Sequence, residues 1–250
     1  MKYYINICLI CIIVLSCGQK HSFKNVRGFE RKEVAEFLKY VVDEDTSGII
    51  NYIANHKDMD IDEPNAYSQR SLLMWTISNG KYLSFKCLLH LGANPNYICR
   101  KDGSTPLILA SGYLDKNYNI DKRYLIDLLD AGADPTIKAI DPATGLERSA
   151  PYKAAGTSLL YVKELIEKGK VPPQFTTNEI SMLEVAAIQN KVDIVYYLCV
   201  SKRQSLMAPL KTYGKDSRKL IDIVREWNFK PNSKYYIFTK RVFRNIQIVL

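Results

Sequence analysis

Histidine is scarce in this chain, doubled Cys-x-x-Cys motifs are missing, and no apolar run is long enough to cross a bilayer as a helix. The three histidines, His21, His56 and His90, lie far apart in sequence. No Gly-x-Ser-x-Gly, phosphate loop, His-Glu-x-x-His or doubled Cys-x-x-Cys occurs, so the usual nucleophile, phosphate and metal frameworks have no carrier. The expectation is a protein that is not an enzyme and holds no metal or cofactor. Cys87 and His90 stand three apart on one predicted helix, and Cys99 follows the next turn, but no fourth ligand accompanies them. The acidic string Asp58-Met-Asp60-Ile-Asp62 is no better as a calcium loop. Such a loop needs Gly at its sixth position and Glu at its twelfth, where Glu63 and Gln69 stand. The string reads as a turn. A catalytic pocket would have to come from Asp115, Asp121, Asp141 and Glu147 in two insertions.

The apolar run at the N-terminus, Ile5–Leu15, has about half the ~20 residues that a membrane-spanning helix needs. It follows Lys2 and leads into Val14-Leu15-Ser16-Cys17-Gly18, which resembles the lipobox of bacterial lipoproteins. That resemblance implies cleavage before Cys17, acylation of Cys17, and a lipid-anchored, extracytoplasmic protein of the bacterial cell envelope. Residues 1–16 are then a signal peptide and 17–29 a tether. Of six cysteines, Cys8 and Cys11 leave with the signal and Cys17 is used for lipid. Cys87, Cys99 and Cys199 remain, an odd number that completes no disulfide set. Cys87 and Cys199 sit among apolar residues and read as core; Cys99, beside Arg100 in a loop, is expected to be the exposed thiol.

Acidic charge is also missing from one region. Residues 1–200 carry 23 basic and 23 acidic residues, whereas 201–250 carry 12 basic and 3 acidic, which accounts for the whole net charge of +9. Within that end, Lys234, Lys240, Arg241 and Arg244 interleave with Tyr235, Tyr236, Phe238 and Phe243. Two readings stay open: a patch for an anionic membrane or other polyanion, and the solvated face of a capping helix.

What the chain does have is repetition. Ser71–Leu88 aligns without gaps on Ser181–Leu198, with Ser104-Thr-Pro-Leu107 and Ser149-Ala-Pro-Tyr152 between them. Leu88-Leu-His-Leu-Gly-Ala-Asn-Pro-Asn96 is echoed by Leu128-Leu-Asp-Ala-Gly-Ala-Asp-Pro-Thr136. The starts Ser71, Thr105, Ala150 and Ser181 are 34, 45 and 31 residues apart. Thr105, Ser71 and Ser181 are suited to cap a helix, and Pro106 to its first turn. Ile194, Val195, Leu198 and Cys199, like Leu125, Ile126, Leu128 and Leu129, make apolar stripes. Gly92 and Gly132 supply helix stops, and Asn94-Pro95 and Asp134-Pro135 the turns that follow. Each unit is predicted as helix, turn, helix, Gly stop and turn.

These residues resemble the ankyrin-repeat family, most specifically in Thr105-Pro106-Leu107 and Gly132-Ala-Asp-Pro135. The resemblance covers about residues 30–230 and implies an all-α solenoid of stacked helix-turn-helix units with hairpin-like fingers, five or six units in all. Residues 231–250 form a basic capping segment. The first unit, Arg31 to Asp62, keeps amphipathic segments but no signature residues. The fourth has Ala150 in the capping slot and Val171-Pro-Pro173 in place of the Gly-Ala-Asp turn. Insertions at Tyr113–Asp121 and Ile137–Arg148 are expected in loops.

The resemblance also implies a module that binds a protein partner through its fingers and concave face, as an inhibitor, an immunity-type protein or a scaffold. Its candidate contact residues are Tyr67, Arg70, Tyr97, Arg100, Lys101, Lys138 and Arg148, rich in the Tyr and Arg that dominate interfaces. A single copy is expected, attached to the membrane by its lipid and binding no nucleic acid.

Overall fold

The computed structural model describes residues 32–209, 219–227 and 229–249. The signal, the tether and the lipid site at Cys17 lie outside the described residues, as do the side chains of Phe238 and Phe243.

Among the described residues, six helix pairs follow one another. They are α1 (Lys32–Asp43) with α2 (Thr46–Asn55), α3 (Leu72–Ser78) with α4 (Tyr82–His90), and α5 (Pro106–Ala110) with α6 (Arg123–Asp130). Then come α7 (Ala150–Thr157) with α8 (Leu159–Glu167), α9 (Met182–Ile188) with α10 (Val192–Tyr196), and α11 (Leu220–Glu226) with α12 (Lys234–Val249). A π-helical turn, Tyr197–Ser201, prolongs α10. From α3 to α11, the first helices of the pairs pack side by side in one row, and from α2 to α10 the second helices make another. The last helix, α12, packs on α10. The basic end is therefore the outer half of the sixth pair.

The inner helices α3, α5, α7 and α9 start with the same device. Ser71, Thr105, Ser149 and Ser181 accept a hydrogen bond from the backbone N–H three residues on, at 3.4, 3.2, 3.2 and 3.1 Å. This satisfies a donor that the first turn otherwise leaves open. The fourth cap is thus Ser149 and not a vacant slot at Ala150: Ala150-Pro151 makes the first turn, one residue out of step with Thr105-Pro106. The caps of the second to fifth units are then 34, 44 and 32 residues apart.

The second helices α4, α6 and α8 end on a left-handed residue. Gly92 and Gly132 have φ of 93° and 83°, and the next N–H closes the turn onto Leu88 or Leu128. The fourth unit makes the same turn with Lys170 in the left-handed position (φ 57°), Val171 N–H bonding Leu165 O at 3.0 Å. The turn expected to be lost at Val171-Pro-Pro173 survives because it needs a backbone conformation, which Lys170 adopts without the glycine.

The 44-residue unit is long for two reasons. Residues 113–121 bulge between α5 and α6, joined at their ends by a Leu114–Ile120 bridge. The Tyr161 hydroxyl holds this loop from below, donating to the carbonyl of Tyr113 and lying 3.3 Å from that of Asp121. Tyr113 also meets the Tyr124 ring edge-on, as do Tyr82 and Phe85. The remaining length goes into the finger after α6, two residues longer in each strand.

One apolar core runs through all the pairs. Phe37, Leu73, Phe85, Leu125, Leu128, Leu165 and Leu198 have no exposed surface. Leu129, which the stripe places with Leu128, is only partly buried at the edge of that core. Leu128→Ala is therefore expected to cost about 2–5 kcal/mol, and Leu129→Ala clearly less. Urea unfolding followed by circular dichroism measures both.

Candidate interaction surface on the fingers

Among the described residues, four fingers precede α3, α5, α7 and α9, and three of them close with one loop. In the first, Asn65 N–H bonds Arg70 O at 2.9 Å and Gln69 N–H bonds Asn65 O at 2.7 Å. The second repeats this from Cys99 to Ser104 (2.8 and 2.9 Å), and the third from Asp141 to Leu146 (2.9 and 2.8 Å). The fifth loop residue is left-handed each time: Gln69 at 56°, Gly103 at 66° and Gly145 at 69°. In the third finger the loop is carried outward by an extra antiparallel ladder, β1 (Ala139–Ile140) on β2 (Glu147–Arg148). Two rungs lift its tip by about 7 Å. The fourth finger pairs β3 (Thr176–Thr177) with β4 (Ile180–Ser181). Its two-residue turn, Asn178-Glu179, is left-handed at both positions, which is the hairpin form that matches strand twist.

The first loop residue faces inward in every case, and this explains Cys99. It occupies the slot of Asn65 and Asp141, is 1% exposed, and its Sγ lies 3.4 Å from Ser68 O. The expectation of an exposed thiol is therefore wrong. Burial raises the Cys87 and Cys99 thiols and pushes Cys199 up to about 12, so none of the three is poised as a thiolate.

Neighbouring fingers are stitched by side chains. Asp62 accepts from Asn94 N–H at 2.9 and 3.1 Å, and Asn96 Oδ1 from Asp134 N–H at 2.7 Å. The string at 58–62 is a turn, with Asp60 accepting from Asp62 N–H. Three predicted contact residues join this stitching: Arg70 pairs with Asp102 at 2.9 Å, Tyr97 donates to Gln69 O at 3.0 Å, and Lys101 donates to Tyr67 O at 2.9 Å. Lys138 and Arg148 are held within the third finger by Glu147 (3.5 Å) and Asp141 (2.5 Å). Arg100 is exposed without a polar partner among the described residues, and Tyr67 is 62% exposed.

All seven predicted residues thus lie along one edge, and most of them hold it together. Sequence reasoning missed the exposed apolar side chains beside them, Ile98, Ile140 and Leu146, of which Ile140 is 62% exposed. Strand alternation in the unrecognised ladder could have located Ile140. It also missed Asn178, which exchanges three hydrogen bonds of 2.8–2.9 Å with Glu147. Between the first finger and α3 lies a cleft of about 360 Å³, lined by Tyr67, Arg70, Trp75 and Asn79 among others.

The four carboxylates that could have made a catalytic pocket are taken up locally. Asp115 accepts from Asn117 and Asn119, Asp121 holds Arg123, Asp141 holds Arg148, and Glu147 holds Asn178. Hydrogen bonds to these partners lower the Asp115, Asp121 and Asp141 carboxyls. His90 is exposed while Cys87 is buried, and no metal-binding cluster forms among the described residues.

A crystal structure of an ankyrin repeat protein matches 86% of this chain and 98% of its own, with a TM-score of 0.59 and 18% identity. The fold is an ankyrin-repeat solenoid. No protein-family model matches the sequence, and no curated protein does.

In this ankyrin array, the stitch between Arg70 and Asp102 has a pH signature. Burial alone would raise the Asp102 carboxyl, but the Arg70 guanidinium and Ser104 N–H outweigh it and hold the group at about 2. A depressed folded-state pKa stabilises above the unfolded value and is lost as pH falls through the folded one. The stability advantage of wild type over Asp102→Asn is expected at neutral pH and should shrink between about pH 4 and pH 2. Urea midpoints across that range measure it.

Proposed function

We propose that this chain is a protein-binding module that grips a protein partner along its finger edge and the adjoining concave face. The observation that carries this reading is the edge itself. Tyr67, Ile98, Arg100, Ile140 and Leu146 are exposed on fingers whose backbones are fixed by hydrogen bonds from one to the next. Exposed apolar and Arg or Tyr side chains on a rigid support are what a recognition surface needs, because little freedom is lost on binding. An extended stack presents such a surface. Catalysis would need a constellation of groups, and the carboxylates are committed elsewhere.

The sequence supports a location for this module. The Val14-Leu15-Ser16-Cys17 string would give a chain cut before Cys17, with 17–29 as a tether and lipid at Cys17 holding a single copy at the bacterial cell envelope. There it would act as an inhibitor, an immunity-type protein or a scaffold.

A crosslinking pull-down from membranes of the native cell tests the binding reading. Wild type should enrich one protein, and Arg100→Glu/Ile140→Asp should lose it by at least tenfold, since interface hot spots contribute about 2 kcal/mol or more each. Enrichment unchanged by those substitutions would move the contact off the fingers.

A further inference from the structure

We infer that the outward face of α12 is a second binding surface, one that docks on a bilayer rich in anionic phospholipid. This goes beyond the finger reading and does not rest on it.

Helical geometry gathers the basic residues. At 100° per residue, Lys234, Ile237, Lys240, Arg241 and Arg244 fall within one third of the helix circumference. All five are exposed. Thr239, on the other side of the helix, is buried, and α12 packs on α10 and the π-helical turn that follows it. No Asp or Glu occurs between 227 and 250. Lys240 stacks over the Tyr236 ring at 4.6 Å. Lys240, Arg241 and Arg244 form no ion pair among the described residues.

The spacing decides between ligands. From Lys234 to Arg244 the cations run about 15 Å along a straight helix, pointing outward and not converging on a centre. A small free anion would touch one or two of them, whereas a layer of phosphate headgroups meets them all. Ile237, 44% exposed, stands in the middle of the cations. An aqueous polyanion would leave it wet, while a lipid interface covers it. Basic residues near an anionic membrane each strengthen binding, and salt weakens it.

The test uses the full chain with Cys17→Ala, so that no acyl chain contributes. Binding is measured to vesicles of phosphatidylcholine alone and of equal parts phosphatidylcholine and phosphatidylglycerol. Phosphatidylcholine alone reports whatever the N-terminal apolar run adds. The chain should bind the anionic vesicles more tightly and release them in high salt. Arg241→Gln/Arg244→Gln should weaken that excess about twenty-five-fold, at about fivefold per charge. Ile237→Ser should weaken it about threefold or more. Both variants alter exposed positions, so unchanged thermal unfolding shows that folding is intact. Equal binding to both vesicles, or no effect of the double variant, would overturn the proposal. So would binding to polyglutamate or nucleic acid that the double variant weakens but Ile237→Ser does not, since that pattern marks a soluble polyanion. Arg100→Glu/Ile140→Asp should leave vesicle binding unchanged, which separates failure here from failure of the finger reading.

Discussion

No helix pair in this protein can bury its apolar faces by itself; each does so only against the pairs before and after it. That constraint sets the rest of the structure. It requires every pair to enter and leave at the same angle, and the chain meets it with a Ser or Thr cap on each inner helix from α3 to α9 and a left-handed residue after α4, α6 and α8. Stability then passes from neighbour to neighbour, as expected for a one-dimensional array. The insertions respect the same rule. The loop at 113–121 sits outside the stack and is tied back by Tyr161, and the extra ladder of the third finger extends away from it.

The fingers show a division of labour along one edge. Arg70, Tyr97 and Lys101 spend their polar groups on the neighbouring finger, and Asp62, Asn96 and Asn178 do the same through backbone N–H groups. This fixes the edge and leaves Tyr67, Arg100, Ile140 and Leu146 outward. Polar residues that look like recognition groups are therefore framework, and the outward apolar ones are the better contact candidates. At the far end the charge is arranged differently: the cations of α12 have no acidic residue on their own helix.

Much of this was legible in the sequence. Ser71, Thr105 and Ser181, with Gly92 and Gly132, act through local backbone chemistry, which a short string reveals directly. The misreadings have physical causes. Ala150-Pro151 mimics Thr105-Pro106 one residue out of step, so the string pattern points to Ala150, one position after Ser149, which forms the cap. Lys170 holds the left-handed position of its turn, and the glycine beside it, Gly169, stands one residue out of step. Cys99 stands beside an exposed Arg and yet is buried, because the finger loop turns its first residue inward, and only the match with Asn65 and Asp141 shows that. The stitching between fingers joins residues about thirty positions apart, which no local pattern encodes.

The central claim is that binding belongs to the finger edge. A photocrosslinking side chain placed at Ile140 tests it most directly, compared with one at Leu83 or Leu160, exposed at the opposite end of the helix pairs. The same protein should be captured from Ile140 and not from Leu83 or Leu160, in cells carrying the full chain. Capture from Leu83 or Leu160 with none from Ile140 would contradict it.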